Sequence, residues 1–480
     1  MRWFAAPDYW LGRLVFQRGL AVIYVIAFLV AANQFRALLG ERGLLPIPAY
    51  TARVPFRRSP SLFHLHYSDR FFAGVAWSGA ALAAAVAAGL ADVVPLWGSM
   101  LIWAVLWALY TSIVNVGQVW YGFGWETLLL ETGFLAIFLG NARTAPPVLV
   151  LWLIRWLIFR LEFGAGLIKL RGDPCWRDLT CLRYHHETQP MPGPLSWFFH
   201  HLPDPLHRVE ALANHFAQLV VPFALFAPQP VASVAAGVVI VTQLWLVLSG
   251  NFSWLNWLTI VLAASVAFSS VTAGALHLPA APAFGPAPVW FEVLVLAVTA
   301  VVAVLSYWPA RNLISREQLM NYSFDPLRLV NTYGAFGSIG RHRYEIVLEG
   351  TREREITDGT VWQEYEFKGK PGDPRRRPPQ VAPYHLRLDW QMWFAALSTR
   401  YAEPWLVPFL YKLLTGDRDV LALLRHNPFP DEPPAYVRAW LYRYRFTSWR
   451  QLRETGAWWE RTPIREYVPP VTLRAPDQVT

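Results

Sequence analysis

The chain has 480 residues, 54% of them hydrophobic and only 16% charged, with a mean hydropathy of +0.27. That is too apolar and too poor in charge for an ordinary soluble protein, and it reads as an all-α polytopic membrane protein. The formal net charge of +9 calls for no nucleic acid, because arginines flanking membrane segments account for it and no basic helix or aromatic-studded binding motif accompanies them.

A short polar segment with Arg2, Asp8 and Arg13 precedes an apolar run at 14–39. No small-residue cleavage site follows that run, so it reads as a retained anchor and not as a removed signal peptide. Further apolar runs lie at 71–90, 95–114, 119–139, 147–170, 209–226, 231–248, 254–271 and 289–308. At roughly 20 residues per crossing these give about nine transmembrane helices. The 25 Trp and 19 Tyr suit a protein with many membrane–water boundaries. From Arg311 onward charges and prolines recur and no run long enough to span remains. The chain therefore divides into a polytopic domain at 1–310, with a central loop at 172–207, and a small mixed α/β extramembrane domain at 311–480. Within the latter, 344–348 and 361–367 read as strands around an Asp358-Gly359 turn. Residues 388–397 and the aromatic-rich segments up to Trp459 read mainly as helices.

An odd span count places the 40–70 loop, the central loop and the C-terminal domain on one side. Arg42, Arg53, Arg57, Arg58 and Arg70 argue that this side is cytoplasmic, whereas Arg2, Arg13 and Arg18 argue the reverse. The two cysteines, Cys175 and Cys181, favour the second arrangement, since a close pair in an exposed loop is most simply a disulfide in an oxidising compartment. They are not a CxxC motif, so a structural bridge outranks thiol exchange.

The chemistry concentrates around the fifth run and the loop after it. Arg155, Glu162 and Lys169 recur every seven residues, which keeps them along one helix face that must meet protein or water. Gly164 and Gly166 between the charges allow another backbone to come close. A Glu162–Lys169 or Glu126–Arg155 ion pair serving assembly competes here with a functional lysine. The loop then gathers Asp173, Trp176, Arg177, Asp178, His185, His186 and Glu187, followed by His200 and His201. Gly172 and Pro174 permit a sharp exit, so the loop is expected to fold back over a cavity holding Lys169 and Glu162. In that arrangement Asp173, Arg177, Asp178, His185 and Glu187 surround one pocket, and Trp176, Trp197 and Phe198 anchor at the interface. The alternative is an amphipathic lid whose polar groups only cap helices. Adjacent histidines usually diverge and no HExxH spacing occurs, so no metal ligands are assigned. No phosphate-binding glycine loop or GxSxG elbow is present, and no cofactor can be read from the sequence.

Several long blocks carry a resemblance. GAGLIKLRGDPCWRDLTCLRYHHETQPMPGPLSWFFHHLP at 164–203, YGFGWETLLLETGFLAIFLG at 121–140, NFSWLNWLT at 251–259, RALLGERGLLP at 36–46, RYEIVLEGT at 343–351 and PYHLRLDWQMWFAAL at 383–397 resemble the lipase maturation factor family. The resemblance implies a membrane protein, in animals of the endoplasmic reticulum, that helps exported lipases reach their folded, active state. It also implies that the central loop and C-terminal domain face the exoplasmic side. The Ala-, Arg- and Pro-rich composition looks more bacterial than animal. In a bacterium the corresponding location is the inner membrane, with this face toward the periplasm. The expected partners are membrane lipid and exported client proteins. FGAGLIKL at 163–170 is also similar to the segment of vitamin K-dependent gamma-carboxylase-like membrane proteins that carries a lysine base. It implies an alternative role for Lys169, with Glu162, as catalytic residues on a lipid-soluble or peptide substrate. The sequence departs from that pattern near Asn115 and Gln118, where a histidine would be expected.

Overall fold

The computed structural model describes residues 3–269 and 282–473. Five helices among the described residues are long and apolar enough to cross a bilayer: α1 (Trp10–Leu38), α2 (Asp69–Ala88), α3 (Leu96–Val116), α8 (Val231–Ser249) and α10 (Val289–Leu305, prolonged by Tyr307–Ile314). The chain is thus an integral membrane protein, but the apolar runs do not each become a span. The run at 119–139 forms a 3-10 turn and the 13-residue α4 (Gly124–Ala136). The run at 209–226 falls on the amphipathic α7 (Asp204–Leu219) and the short helix Val221–Ala224. The run at 254–271, whose last two positions lie outside the described residues, yields the ten-residue α9 (Leu255–Ala264). At 1.5 Å per residue none of these crosses a roughly 30 Å hydrocarbon layer alone. The runs on α4 and α9 are apolar because protein surrounds them: Trp125, Leu128, Leu129 and Leu130 of α4 and Leu258 and Leu262 of α9 are all buried, whereas Val209, Leu212 and Phe216 of α7 are exposed.

The 24-residue α5 (Val148–Arg171) is long enough to span yet carries Arg155, Arg160, Glu162 and Lys169, all buried. It packs against α4, α7, α9 and α10, so its charges meet protein and not lipid. Close packing is built into the sequence at Gly164 and Gly166. A Cβ at Gly164 would lie 2.6 Å from the Tyr333 carbonyl oxygen, and one at Gly166 would lie 2.7 Å from Leu219 Cδ2.

The C-terminal region is built on an antiparallel sheet of order β2-β1-β5-β6, comprising β1 (Arg343–Thr351), β2 (Gln363–Glu364), β5 (Tyr436–Phe446) and β6 (Trp459–Val471). Two further short strands, β3 (Glu366–Phe367) and β4 (Leu424–His426), pair with each other. Helix α11 (Arg387–Leu397) packs on β1. The expectation of helices up to Trp459 is corrected here. Val437, Ala439 and Leu441, then Tyr444 and Phe446, are buried on β5 with the intervening residues more exposed, a period of two that favours a strand. Trp440 and Tyr442, half-buried between those positions, hid that alternation from a reading by hydrophobicity. The exposed edge β6 carries Pro463, Pro469 and Pro470 with Glu460, Arg461, Arg465 and Glu466, a composition that discourages further strand addition.

Candidate functional site at the central loop

Lys169 lies near the C-terminal end of α5, buried to 5% exposure, and donates to Asn214 Oδ1 at 2.8 Å and Gln218 Oε1 at 2.7 Å on α7. Its ammonium also sits 5.0 Å from the Trp176 ring centroid. Glu162, two turns earlier on α5, accepts from Gln218 Nε2 at 3.2 Å and from Gln243 Nε2 on α8 at 2.7 Å. Gln243 in turn accepts from Asn256 Nδ2 on α9 at 2.7 Å. The two charges therefore communicate through the Gln218 amide and form no direct pair. Four helices are tied together by one chain of bonds in which each charge is satisfied. The anticipated Glu126–Arg155 pair does not form either. Arg155 donates to Tyr9 OH at 2.9 Å, while Glu126 pairs with Arg387 at 2.8 Å and Glu131 pairs with Arg160.

The cavity of about 430 Å3 at the other end of α5 is lined by Tyr9, Trp152, Arg155, Phe226 and Gln229, and not by Lys169. A base needs an open approach to substrate, and Lys169 is instead covered by Trp176 from the loop.

The loop turns back at once. Gly172 approaches the Gly337 carbonyl closely, and Asp173 N–H donates to that oxygen at 2.7 Å. Asp173 then caps the short helix Pro174–Arg177 through Cys175 N–H and pairs with Arg341 at 2.8 Å. Burial works against its ionisation, but the bonds from Arg341, Cys175 N–H and Ile339 N–H outweigh this and lower its pKa. Cys175 and Cys181 form a disulfide, their Cα atoms 4.8 Å apart. Trp176 Nε1 donates to the Phe336 carbonyl at 2.8 Å.

On α6 (Leu182–Thr188), His185 is packed edge-on against Phe336, with ring centroids 4.9 Å apart, and burial holds its pKa well below the usual range. Glu187 accepts from Phe446 N–H of β5 at 2.7 Å, and burial raises its pKa. His200 faces Glu187 at 3.7 Å and is pushed to about 3 by burial and then by the histidines around it. His201 Nδ1 is 2.7 Å from the Trp197 carbonyl.

The predicted pocket residues thus part company. Arg177, bonded to the Leu170 carbonyl, and Asp178 are exposed. His185 is buried elsewhere, Glu187 serves the sheet, and His186 turns toward His207 and Glu210 of α7. Nor do Trp176 and Trp197 stand at an open interface: they are 3% and 0% exposed, and Trp197 Nε1 donates to the Thr447 carbonyl at 2.9 Å. The partners that hold the site, Asn214, Gln218, Gln243, Asn256 and Arg343, were not singled out from sequence. Arg343 of β1 is the main rivet. It donates to the carbonyls of Glu187 and Pro190, each at 3.0 Å, and of Gln189, and it pairs with Glu345.

Residues 11–272 match the lipase maturation factor transmembrane domain and residues 329–469 the lipase maturation factor C-terminal domain. The chain belongs to the lipase maturation factor family. Lipase maturation factor 1 of Bos taurus is 44% identical over 97% of this chain and 90% of its own length. The Homo sapiens protein of that name is 43% identical over 97% and 88%. Lipase maturation factor 2 of Homo sapiens is 29% identical over 97% and 83%. No solved structure matches. These similarities lend no support to the carboxylase-like likeness around Lys169.

Proposed function

We propose that this protein is a membrane-embedded maturation factor whose clients are exported lipases. The central loop and the C-terminal sheet together form its exoplasmic working face, which lies in the endoplasmic reticulum lumen in a eukaryote and the periplasm in a bacterium. The observation that carries the reading is similarity to lipase maturation factors over 97% of the chain, with the loop as the physical joint between membrane helices and sheet. Lys169, Glu162 and the loop residues act as fasteners in this proposal. Satisfied hydrogen bonds and cover by Trp176 suit a fastener better than a base.

The test is co-expression of a secreted lipase with this protein in cells lacking any relative of it. Lipase activity per mass of secreted lipase should rise with the protein present and fall back when β1 can no longer hold the loop. An unchanged specific activity in a host where the protein is made and folded would overturn the proposal.

A further inference from the structure

His186 of α6 and His207 and Glu210 of α7 bring ligand-type atoms within 4.8 Å of one another. His186 is 1% exposed and neither of its ring nitrogens has a hydrogen-bond partner. A buried imidazole with both nitrogens unmatched is unfavourable unless something else occupies them. Its Nε2 faces Glu210 Oε2 at 3.6 Å, an oxygen that also lacks a hydrogen bond. His207 is 3% exposed; its Nε2 lies 3.3 Å from the His200 carbonyl, while its Nδ1 has no partner. Donation from Nε2–H to that carbonyl fixes the tautomer and leaves the Nδ1 lone pair free. Glu210 Oε1 accepts from Trp245 Nε1 of α8 at 2.7 Å, which leaves Oε2 as its free atom. One nitrogen held by a backbone carbonyl and one carboxylate oxygen held by a donor form the outer support that metal-binding His and Glu side chains characteristically have.

We propose that His186, His207 and Glu210 form a three-ligand site for a divalent transition-metal cation, with Zn2+ the best fit. Two imidazoles and a carboxylate suit that ion, and a fourth position remains for water. Zn–N and Zn–O bonds of about 2.0–2.2 Å put tetrahedral ligand atoms roughly 3.3 Å apart. The 3.6 Å His186–Glu210 separation is already close to this, and the widest gap of 4.8 Å closes by about 1.5 Å through side-chain rotation. His207 and Glu210 lie three residues apart on one face of α7, whereas His186 comes from the central loop. The cation therefore ties α6 to α7, a link the disulfide, which joins two residues of the loop itself, does not make. Phe199 covers the His186 ring at 5.5 Å and packs on Trp245 at 4.9 Å, so water reaches the site mainly past the part-exposed Glu210. The doublets His185-His186 and His200-His201 contribute one ligand only, because the other three rings are engaged with Phe336, Glu187 and the Trp197 carbonyl.

The full chain is purified in detergent, stripped with chelator, and titrated with Zn2+, and with Co2+ as a visible probe. One equivalent per chain should survive gel filtration, and Co2+ should give the intense absorption of a low-coordinate N/O site. Zn2+ should also raise the melting temperature. His207→Asn and Glu210→Gln should each weaken binding at least tenfold, and Trp245→Phe, which removes only the support for Glu210, by roughly tenfold. His201→Asn should bind as the parent does. Melting of each metal-free variant reports folding; should His207→Asn not fold, the more accessible Glu210→Gln decides. Absence of a retained equivalent, or retention unaffected by Glu210→Gln, overturns the site and leaves a His186–Glu210 ion pair in its place.

Discussion

Replacing Arg343 by Ala isolates the joint between the loop and the sheet. Arg343 is fully buried, and its guanidinium is the donor for the carbonyls of Glu187, Gln189 and Pro190 as well as the partner of Glu345. Truncation leaves three buried carbonyls without that donor, each worth roughly 1–3 kcal/mol when unsatisfied. Glu345 keeps Lys370 at 2.8 Å, so the full 3–5 kcal/mol of an orphaned buried charge does not apply. Water entering the vacated space offsets part of the rest, and the net loss is about 4 kcal/mol. At roughly 2–4 °C per kcal/mol the melting temperature should fall by about 10 °C. Arg343→Lys, which keeps the charge but reaches fewer acceptors, should fall between. The assays are tryptophan-detected melting in detergent and protease cleavage in 182–196, which should accelerate in the same order. A melting temperature within about 1 °C of the parent, with unchanged cleavage, would refute the assignment of Arg343 as the rivet.

Lys169→Met should preserve fold and maturation activity with a loss of about 1–3 kcal/mol, because Gln218 and Gln243 still donate to Glu162 and only Asn214 Oδ1 and Gln218 Oε1 lose a donor; a well-folded but inactive variant would restore the base reading. Cys175 and Cys181 should resist an impermeant thiol reagent in intact cells or correctly oriented vesicles until reduced, and then react from the exoplasmic side without permeabilisation. Reaction only from the cytoplasmic side would reverse the proposed orientation. Burial, aided by the Arg387 charge, lowers the His385 pKa from 6.5 to about 4 against the pull of Glu126. The folded state keeps His385 neutral while the unfolded chain protonates, so its contribution is intact above pH 6.5 and is lost as pH falls toward 4. At about 1.4 kcal/mol per pH unit the loss approaches roughly 3 kcal/mol. His385→Gln should flatten the acid limb of a melting-temperature profile; an identical slope would dismiss this histidine as its source.

The seven-residue spacing of Glu162 and Lys169 was enough to show that they share a protected face, because a charge in an apolar run has few places to go. Their partners were not legible. Gln218, Gln243 and Asn256 are neutral amides scattered over three other helices and give no signal until the helices are packed. Glu126 drew an expected pairing with Arg155, but its counter-charge Arg387 lies far along the chain and has no sequence signal linking it to α4. Hydrophobicity also overstated the spans, since α4 and α9 are as apolar as a crossing helix while being too short for one. A run enclosed by protein and a run enclosed by lipid look alike in sequence; the length of the helix that forms separates them. For the His186 cluster, the i, i+3 spacing of His207 and Glu210 is the signal in the sequence, and it is weaker than that of the histidine doublets, which supply one ligand only.

The placement of the buried ions says how the two matched segments relate. Glu126 on α4 is bonded by Tyr110 OH at 2.6 Å and paired with Arg387 at 2.8 Å, and Arg387 also donates to the Trp120 carbonyl at 2.6 Å and lies 3.4 Å from the Tyr121 ring centroid. Glu131, one further turn along, accepts from Tyr333 OH at 2.7 Å and from Asn331 N–H at 3.0 Å besides pairing with Arg160. Each acid of the membrane helix therefore takes a partner from the C-terminal segment. Gln34 of α1 adds a third tie, donating to the His385 carbonyl at 2.7 Å and accepting from Arg387 N–H at 3.1 Å. An ion buried without its partner costs several kcal/mol, more than either segment gains from any single apolar contact. The C-terminal segment thus completes the interior of the membrane helices, and its sheet cannot tilt freely against them.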